Sequence, residues 1–475
     1  MINFKHEKGG FIMNTYIEST KENLYETLSS LLKFRSVLDS SDSENHPYGA
    51  ANTKALEYML ELGKEAGFEV KNMDNQVGYI QLGDQEDYVG VLCHLDVVPE
   101  GNDWTFEPFG GTIEETRIIG RGALDDKGPA AASFFALKAI KESGEKLDRS
   151  IRLIFGLNEE TGSKCVKHYL TKEKPPVTGF TPDADFPVIY AEKGITTFNL
   201  KKTFAEAIDD GGIRVVSING GTAVNMVPDY AEAFIEETMD ITDMVTSFNK
   251  DFECNVTIDR SKELTRLSVK GVSAHASTPE AGTNAISLLM SCLDVLDLQI
   301  GDASSFVRAY VRRINMLTGG EGIGMGMEDD ISGALTFNVG TVLMNEAGGS
   351  LSVNVRYPVT KSLEDVYNSA FKNIIELERF TYDVVSSVDP IVHDKDGELI
   401  KTLMDVYKIH TGDEKAQPIC IGGGTYARSM PNIVAYGPLF PGAHDTMHQA
   451  DEYIVKDDLV RMTKIYADAI YRLAK

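Results

Sequence analysis

Cysteine is scarce in this sequence: five residues among 475 (Cys93, Cys165, Cys254, Cys292 and Cys420), with no CxxC pair. An odd, scattered set does not build a disulfide framework and fits a reducing cytoplasm. Long apolar runs are missing as well. None approaches the roughly twenty residues of a membrane span, and no signal-peptide pattern opens the chain, so a cytoplasmic location is expected. Positive charge is short, with 46 basic against 72 acidic residues and a net charge of −26. Such a surface repels phosphate backbones and anionic headgroups, so neither nucleic acid nor membrane is expected as a partner.

The rest of the composition is ordinary for a globular protein, 42% hydrophobic and 25% charged, at a length that calls for two or three domains. Leu24, Leu28, Leu31 and Leu32 form an apolar stripe that predicts a first helix from about Thr20 to Phe34, and a second follows near Ala50 to Ala66. The strand-like runs FEVKNM, GYIQLG and YVGVLCHLD come next. KGPAAASFFALKAIKESG predicts a buried helix ending at Gly144, and SIRLIFGLNEE a further apolar strand ending in acids. Strands alternating with helices predict an α/β fold, a mixed sheet with helices on both faces.

After DADFPVIYAEKG the texture changes to short strands (SVKGVSA, LSVNVRYPV) and a helix near Thr283–Leu296. A loop rich in Gly and Met, TGGEGIGMGMEDD, interrupts them and is expected to be mobile. Helix and strand alternate again from about Asp389 to a last helix near Val455–Leu473. The expected organisation is one catalytic α/β domain in two halves, residues 13–193 and 387–475, with an α+β lid domain, residues 194–386, inserted between them. Residues 1–12 lack apolar periodicity and precede Met13, and are expected to be an extension.

Three short segments carry most of the chemistry. VLCHLDVVPEG, GRGALDDKGP and GLNEETGS supply His94, Asp96, Asp125, Asp126, Glu159 and Glu160, each at the end of an apolar run or in a Gly-rich turn. Side chains at such places reach the rim of a buried sheet, and imidazole mixed with carboxylate oxygen suits Zn²⁺ or Mn²⁺. His94 and Asp96 share a strand face, so a carboxylate can accept the hydrogen bond of a metal-bound imidazole; a structural or solvated role is the alternative. Asp125 and Asp126 repel each other unless a cation offsets their charge, although either could also cap the following helix. Glu159 and Glu160 can reach different positions around one centre, one as ligand and one as base toward a water, or else lie in a solvated loop. Cys93 points to the strand face opposite His94 and is assigned to the core.

Further along, Asp183 and Asp185 sit in a Pro-bounded turn, and His275 lies among small residues in GVSAHASTPE. Arg356 alternates onto the face of Ser352 and Asn354, as a surface cation or a carboxylate clamp. IGGGTYARS offers either a nest of backbone N–H groups for an anion or an ordinary turn. One of His444 and His448, in GAHDTMHQADEY, could close a metal site.

Taken with PDADFPVIYAEKG, SAHASTPE, GGGTYAR and MHQADEY, in this order from about Met13 onward, these segments resemble the M20 metallopeptidase family, and within it the dipeptidase V (Xaa-His dipeptidase, carnosinase-like) type. The resemblance implies a discontinuous two-metal hydrolase domain with an inserted lid, and two divalent ions, Zn²⁺ or Mn²⁺, with Co²⁺ also accepted. Asp125 would bridge the ions, His94 and Asp183 completing one, Glu160 and His448 the other. Asp96 would steady His94 and Glu159 would be the general base. By the same resemblance the peptide bond after Asp125 is cis, His275 meets the oxyanion, and Asn225, Arg356 and the segment of Gly423, Gly424 and Thr425 hold the carboxylate end of the substrate. The insert would close over the cluster on hinges near Glu192–Ile195 and Val384–Pro390. Because so long an insert supplies His275 within one chain, a monomer is expected.

The activity so implied is hydrolysis of dipeptides and other short unblocked peptides. Two alternatives stand beside it. One is an N-acyl-amino-acid deacylase or desuccinylase of the same family. The other is a catalytically inactive relative that binds metal or peptide, against which the presence of Glu159 argues.

Overall fold

The structure, a computed structural model, describes residues 4–41, 44–205 and 207–475, with side chains from residue 9 onward. It divides into two compact units. The first comprises Met1–Tyr190, His393–Ile419 and Thr425–Lys475; the second comprises Ala191–Val392 and Cys420–Gly424.

A mixed sheet forms the centre of the first unit. Its strands lie in the order Glu69–Met73, Val77–Leu82, Ser150–Gly156, Tyr88–His94, Thr178–Thr181 and Ile433–Ala435, and Ile189 continues it by pairing with Ala435. The first two pairings are antiparallel, and the four strands from Ser150–Gly156 to Ile433–Ala435 are parallel. Every residue of Tyr88–His94 is buried, the pattern of a strand covered on both faces. The coverage can be read from neighbours on one strand. Ile80 meets helix Ala50–Glu65, where a Cβ on Gly63 would come within 2.8 Å of it. Tyr79, adjacent in the chain, points to the other face and meets Tyr169 of helix Lys164–Leu170 with ring centroids 6.4 Å apart.

Three of the parallel strands deliver acidic or imidazole side chains from their carboxyl ends. Tyr88–His94 ends in His94 itself; Ser150–Gly156 leads through Leu157 and Asn158 to Glu159 and Glu160; Thr178–Thr181 leads to Asp183. Sites in open α/β sheets collect at such ends. The helix Lys127–Ser143 begins directly after Asp126 and is stopped by Gly144 in the left-handed conformation at φ 64°, which costs glycine little.

The second unit is built on an eight-stranded antiparallel sheet. Its order is Thr257–Asp259, Thr265–Lys270, Tyr230–Glu236, Arg214–Gly220, Thr336–Asn345, Gly348–Tyr357, Gly194–Thr203 and Thr381–Val388. One face is apolar: Leu351, Val353 and Val355 join Phe198, Ala233 and Ile235 in a core shared with helices Ala285–Asp294 and Asp302–Arg313. Strand alternation turns Ser352, Asn354 and Arg356 to the opposite face, where Ser352 Oγ donates to Asn199 and Asn354 Nδ2 to Thr197. Asn284 starts the helix by accepting the N–H groups of Ile286 and Ser287.

Two local expectations are corrected. The first helix spans Phe4–Leu32 rather than Thr20–Phe34. Gly9 and Gly10 lower the helix propensity of its early turns, yet Met13 and Ile17 are buried, at 2% and 1% exposure, in line with Leu24 and Leu28; packing on helices Lys127–Ser143 and Lys456–Leu473 carries what propensity does not. The loop rich in Gly and Met is packed rather than free. Ile323 and Met325 belong to the core of the second unit, and a Cβ on Gly322 would stand 2.3 Å from the carbonyl oxygen of Arg313. Glycine there allows close approach, not motion. Among the described residues no helix is long and apolar enough to cross a membrane.

Candidate metal centre

His94, Asp96, Asp125, Glu159, Glu160, Asp183 and His448 come together in the first unit. The two oxygens of Asp125 face different imidazoles: Oδ1 lies 2.9 Å from His94 Nε2 and Oδ2 lies 3.0 Å from His448 Nε2. Asp183 Oδ1 is 3.6 Å from His94 Nε2, and Glu160 Oε1 is 3.2 Å from His448 Nε2. Two sets of three ligand atoms, from His94, Glu159 and Asp183 and from His94, Asp125 and Glu160, each fall within 4.8 Å of one another. Both histidines of this loop are exposed, and it is His448 that faces Asp125 and Glu160. The Asp125–Asp126 peptide is cis.

Local bonding fixes the direction of these side chains. His94 Nδ1 lies 2.9 Å from the carbonyl oxygen of Asp96. A carbonyl only accepts, so Nδ1 carries a proton and Nε2 is turned toward the carboxylates. The carboxylate of Asp96 is 3.5 Å from the same nitrogen but spends its hydrogen bonds elsewhere, accepting the backbone N–H of Glu159 at 3.0 Å and of Glu160 at 3.1 Å. Asp126 stands at the cap position of its helix yet makes no capping bond; Oδ2 accepts the backbone N–H of His94 at 3.0 Å instead.

The acids of this cluster are crowded and shift one another's titration. Burial, then the charge of Asp183, pushes the carboxyl of Glu159 up to about 8, and burial, then the charge of Asp125, pushes Asp183 up to about 7. The imidazoles supply positive charge beside these acids. Hydrogen bonds to Asp125 and Glu160 raise His448 to about 11. For His94, burial opposes the charged ring, but Asp183, Asp125 and Asp96 outweigh it and hold the ring well above its ordinary range. Asp125 is held below the usual carboxylate range because the two imidazoles outweigh its burial. His94 Nε2 and Asp125 Oδ1 are both buried without a hydrogen-bond partner although they face each other. Two imidazoles and the carboxylates of Asp125, Glu160 and Asp183 are a donor set that fits divalent cations of the Zn²⁺ or Mn²⁺ kind.

The model of Peptidase family M20/M25/M40 matches residues 90–472. A Bacillus subtilis (strain 168) protein named "Putative dipeptidase YtjP" is 42% identical over 466 residues, which cover 96% of this chain and 98% of that protein. The chain belongs to peptidase family M20. A Staphylococcus epidermidis protein named "Putative dipeptidase" is 37% identical over 461 residues, 95% of this chain and 97% of its own. Among solved structures, human carnosine dipeptidase 1 superposes with a TM-score of 0.56 at 12% identity, over 97% of this chain and 98% of that one. Aminoacylhistidine dipeptidase from Vibrio alginolyticus gives 0.56 at 14%, over 95% and 96%. At such identities the likeness is one of fold. M20 peptidases are metal-dependent hydrolases as a family, in keeping with the imidazole and carboxylate groups of this cluster.

Of the remaining candidate residues, His275, Asn225, Arg356, Gly423 and Gly424 lie in the second unit, and Thr425 belongs to the first. The backbone N–H of Ser277 donates to His275 Nδ1 at 3.2 Å, and Ser277 Oγ lies 2.6 Å from the same nitrogen. A neutral ring with Nδ1 accepting carries its proton on Nε2; burial and the nearby guanidinium of Arg356 hold the ring below its ordinary range and so keep it neutral. Arg356 is buried, donating from Nε to Asn354 Oδ1 at 2.7 Å and from Nη1 to the carbonyl oxygen of Gly422 at 3.1 Å. The carbonyl oxygen of Asn225 accepts the N–H of Ala276 at 2.9 Å, which fastens the His275 loop. Gly422, Gly423 and Gly424 all stay out of the left-handed region, so the segment is not a nest. Glycine at 422 serves close approach instead, since a Cβ there would sit 3.0 Å from that of Ser277. Thr425 accepts the N–H of Ala427 and caps the short turn Tyr426–Ser429.

Several neighbours of the cluster have no role assigned to them from the sequence. Tyr426 is buried with its ring edge-on to His94, centroids 5.8 Å apart. Arg121 and Glu452 form a buried ion pair at 2.7 Å beside Asp125. Their hint lay in the same two motifs, GRGALDD and MHQADEY, as residues of no assigned role.

Proposed function

We propose that this M20 peptidase is a dinuclear metallo-dipeptidase that cleaves the amide bond of short unblocked peptides. The observation that carries the reading is the sharing of one carboxylate between two imidazoles, Asp125 lying 2.9 Å from His94 and 3.0 Å from His448. A carboxylate with a nitrogen donor at each oxygen is suited to bridge two cations. Asp183 would join His94 on one, and Glu160 would join His448 on the other. Divalent cations, Zn²⁺, Mn²⁺ or Co²⁺, would supply Lewis acidity there, acidifying a water and polarising the scissile carbonyl.

The protein's own part is to orient groups and to move one proton. Glu159, held through its backbone by Asp96, accepts the proton of the attacking water on its carboxylate and passes it to the departing amine nitrogen as the C–N bond breaks. The products are a carboxylate and an amine, and Glu159 returns to its ionised form. His275 donates from Nε2 to the carbonyl oxygen as negative charge develops on it. Arg356, preorganised by Asn354 and Gly422, binds the terminal carboxylate of the peptide with Asn225 and the segment Gly423, Gly424 and Thr425. One chain carries every residue named, so the working form is taken to be a cytoplasmic monomer whose partner is a small peptide.

Reconstitution tests the reading. Metal-stripped protein loaded in turn with Zn²⁺, Mn²⁺ and Co²⁺ is offered Ala-Ala, β-Ala-His and acetyl-amino acids. Hydrolysis of the free dipeptides should appear only with an ion. Equal hydrolysis by stripped protein removes the metal from the mechanism, and turnover of acetyl-amino acids alone reassigns the substrate.

A further inference from the structure

Glu452 is fully buried, at 0% exposure, and every lone pair of its carboxylate that faces the protein is in use. Oε2 accepts from Arg121 Nη1 at 2.7 Å and from the backbone N–H of Gly122 at 3.0 Å. Oε1 accepts the backbone N–H of Leu124 at 2.9 Å and of Asp125 at 3.1 Å. All four donors belong to the turn that delivers Asp125, whereas the acceptor belongs to the loop that delivers His448. The two segments are also joined by main chain. Gly120 N–H donates to the Glu452 carbonyl at 2.9 Å, and strand Tyr453–Val455 pairs with Arg117–Ile119. Arg121 is itself held, donating from Nη2 to the carbonyl oxygen of Glu100 at 3.2 Å with Trp104 over its guanidinium at 5.2 Å.

We propose that Glu452 is the positioning residue that locks Asp125 and His448 into one rigid pair, so that cation affinity depends on a carboxylate that is not a ligand. The inference rests on the reading of Asp125 and His448 as ligands. Its physical basis is that a buried network repays its desolvation only when every member is satisfied. Removing this one acceptor leaves the Arg121 charge without its counter-ion and three backbone N–H groups without their acceptor next to Asp125, and the turn must rearrange to satisfy them. A partner that orients a ligand without binding the ion commonly sets affinity over about 10- to 100-fold.

The test uses the full chain with Glu452→Gln, which keeps shape but replaces one acceptor by a donor, and Glu452→Asp, which keeps charge but is too short to span all four donors. Zn²⁺ affinity, measured by chelator competition on folded protein, should fall about 10- to 100-fold in both, and hydrogen exchange at Gly122, Leu124 and Asp125 should quicken in the metal-free state. Unchanged Zn²⁺ affinity in either folded variant overturns the proposal. If neither variant folds, metal-free wild type decides: slow exchange at these three amides with and without Zn²⁺ supports the clamp, and fast exchange in the metal-free protein overturns it. Wild type that protects these amides yet binds no Zn²⁺ would refute the ligand reading rather than the clamp.

Discussion

Asp96 holds Glu159 by the backbone, its Oδ1 accepting the Glu159 N–H at 3.0 Å while Oδ2 accepts that of Glu160 at 3.1 Å. One carboxylate therefore sets the direction of the proposed base and of a proposed ligand, and the carbonyl of the same residue orients His94. Asp96→Asn keeps that carbonyl but turns an amide N–H toward one of the two backbone donors. It should lower kcat/KM and ion affinity about 10- to 100-fold, as read by steady-state kinetics and metal analysis on folded protein. Loss of neither would leave Asp96 a bystander.

Glu159→Gln separates proton transfer from ligation. The amide keeps the size of the side chain and cannot accept the water's proton. kcat should fall by about 10² to 10⁴, with ion content close to wild type because His94, Asp125, Glu160, Asp183 and His448 remain. Equal activity in the two proteins removes Glu159 as the base, whereas parallel loss of the ions makes it a ligand.

The acids of the centre make the metal-free protein sensitive to pH in a definite direction. Asp183 is raised from 3.8 to about 7 and Glu159 from 4.5 to about 8, burial being the first cause for each. A raised group contributes stability that is full below its unfolded value and is lost as pH climbs through the folded one. The metal-free melting temperature should therefore decline between about pH 5 and pH 8 by more than that of metal-free Asp183→Asn. His448, raised from 6.5 to about 11 by Asp125 and Glu160, acts in the same sense over a higher window. Loading with Zn²⁺ should raise the melting temperature more at pH 8 than at pH 5, and at pH 7 it should release protons, which calorimetry in buffers of different ionisation enthalpy would register. A metal-free melting curve no more pH-dependent than that of the variant would contradict the account.

His275→Ala tests the proposed oxyanion donor. The loop that carries the ring is fastened by backbone bonds from Ala276 and Val272, so the fold does not depend on the imidazole. Loss of one oxyanion donor should lower kcat by about 10² to 10³ without changing ion content. Unaltered kcat for Ala-Ala would leave the ring outside the reaction.

What the sequence made legible follows from how each feature is encoded. His94, Glu159 and Glu160 stand out because each follows an apolar run short enough for a buried strand, and parallel strands bring such ends together. The helix near Thr283–Leu296 is legible from its apolar run, and its cap Asn284 is found in the structure. The first helix is not, because its early turns depend on tertiary burial of Met13 and Ile17 that no local period reports. Asp126 reads as part of a cation-binding pair or as a cap, and its Oδ2 accepts the His94 backbone N–H. Glu452 reads as one more loop acid in an acidic chain; its role exists only through four donors that lie more than three hundred residues earlier. Periodicity marks what a residue is buried against, and says nothing of which distant backbone it completes.

Gly156 and Tyr426 offer a direct probe of how tightly the strand ends are packed around the site. A Cβ on Gly156 would lie 2.0 Å from the hydroxyl oxygen of Tyr426 and 2.9 Å from the sulfur of Cys165. Neither neighbour has room to retreat, since Tyr426 and Cys165 are buried, with the phenol edge-on to His94 and its hydroxyl 3.4 Å from the Cys165 sulfur. Gly156→Ala must therefore push the phenol toward His94 or bend the strand that leads to Glu159. Overpacking of this kind costs about 1 to 3 kcal/mol, and here it should weaken ion binding along with stability. Tyr426→Phe alone removes one weak hydrogen bond and should change little. Combined with Gly156→Ala it removes the closest contact, so the double variant should be more stable than the sum of the single changes allows, with part of the ion affinity recovered. Additive losses across the cycle, read from urea unfolding, would mean that the two side chains do not meet in solution.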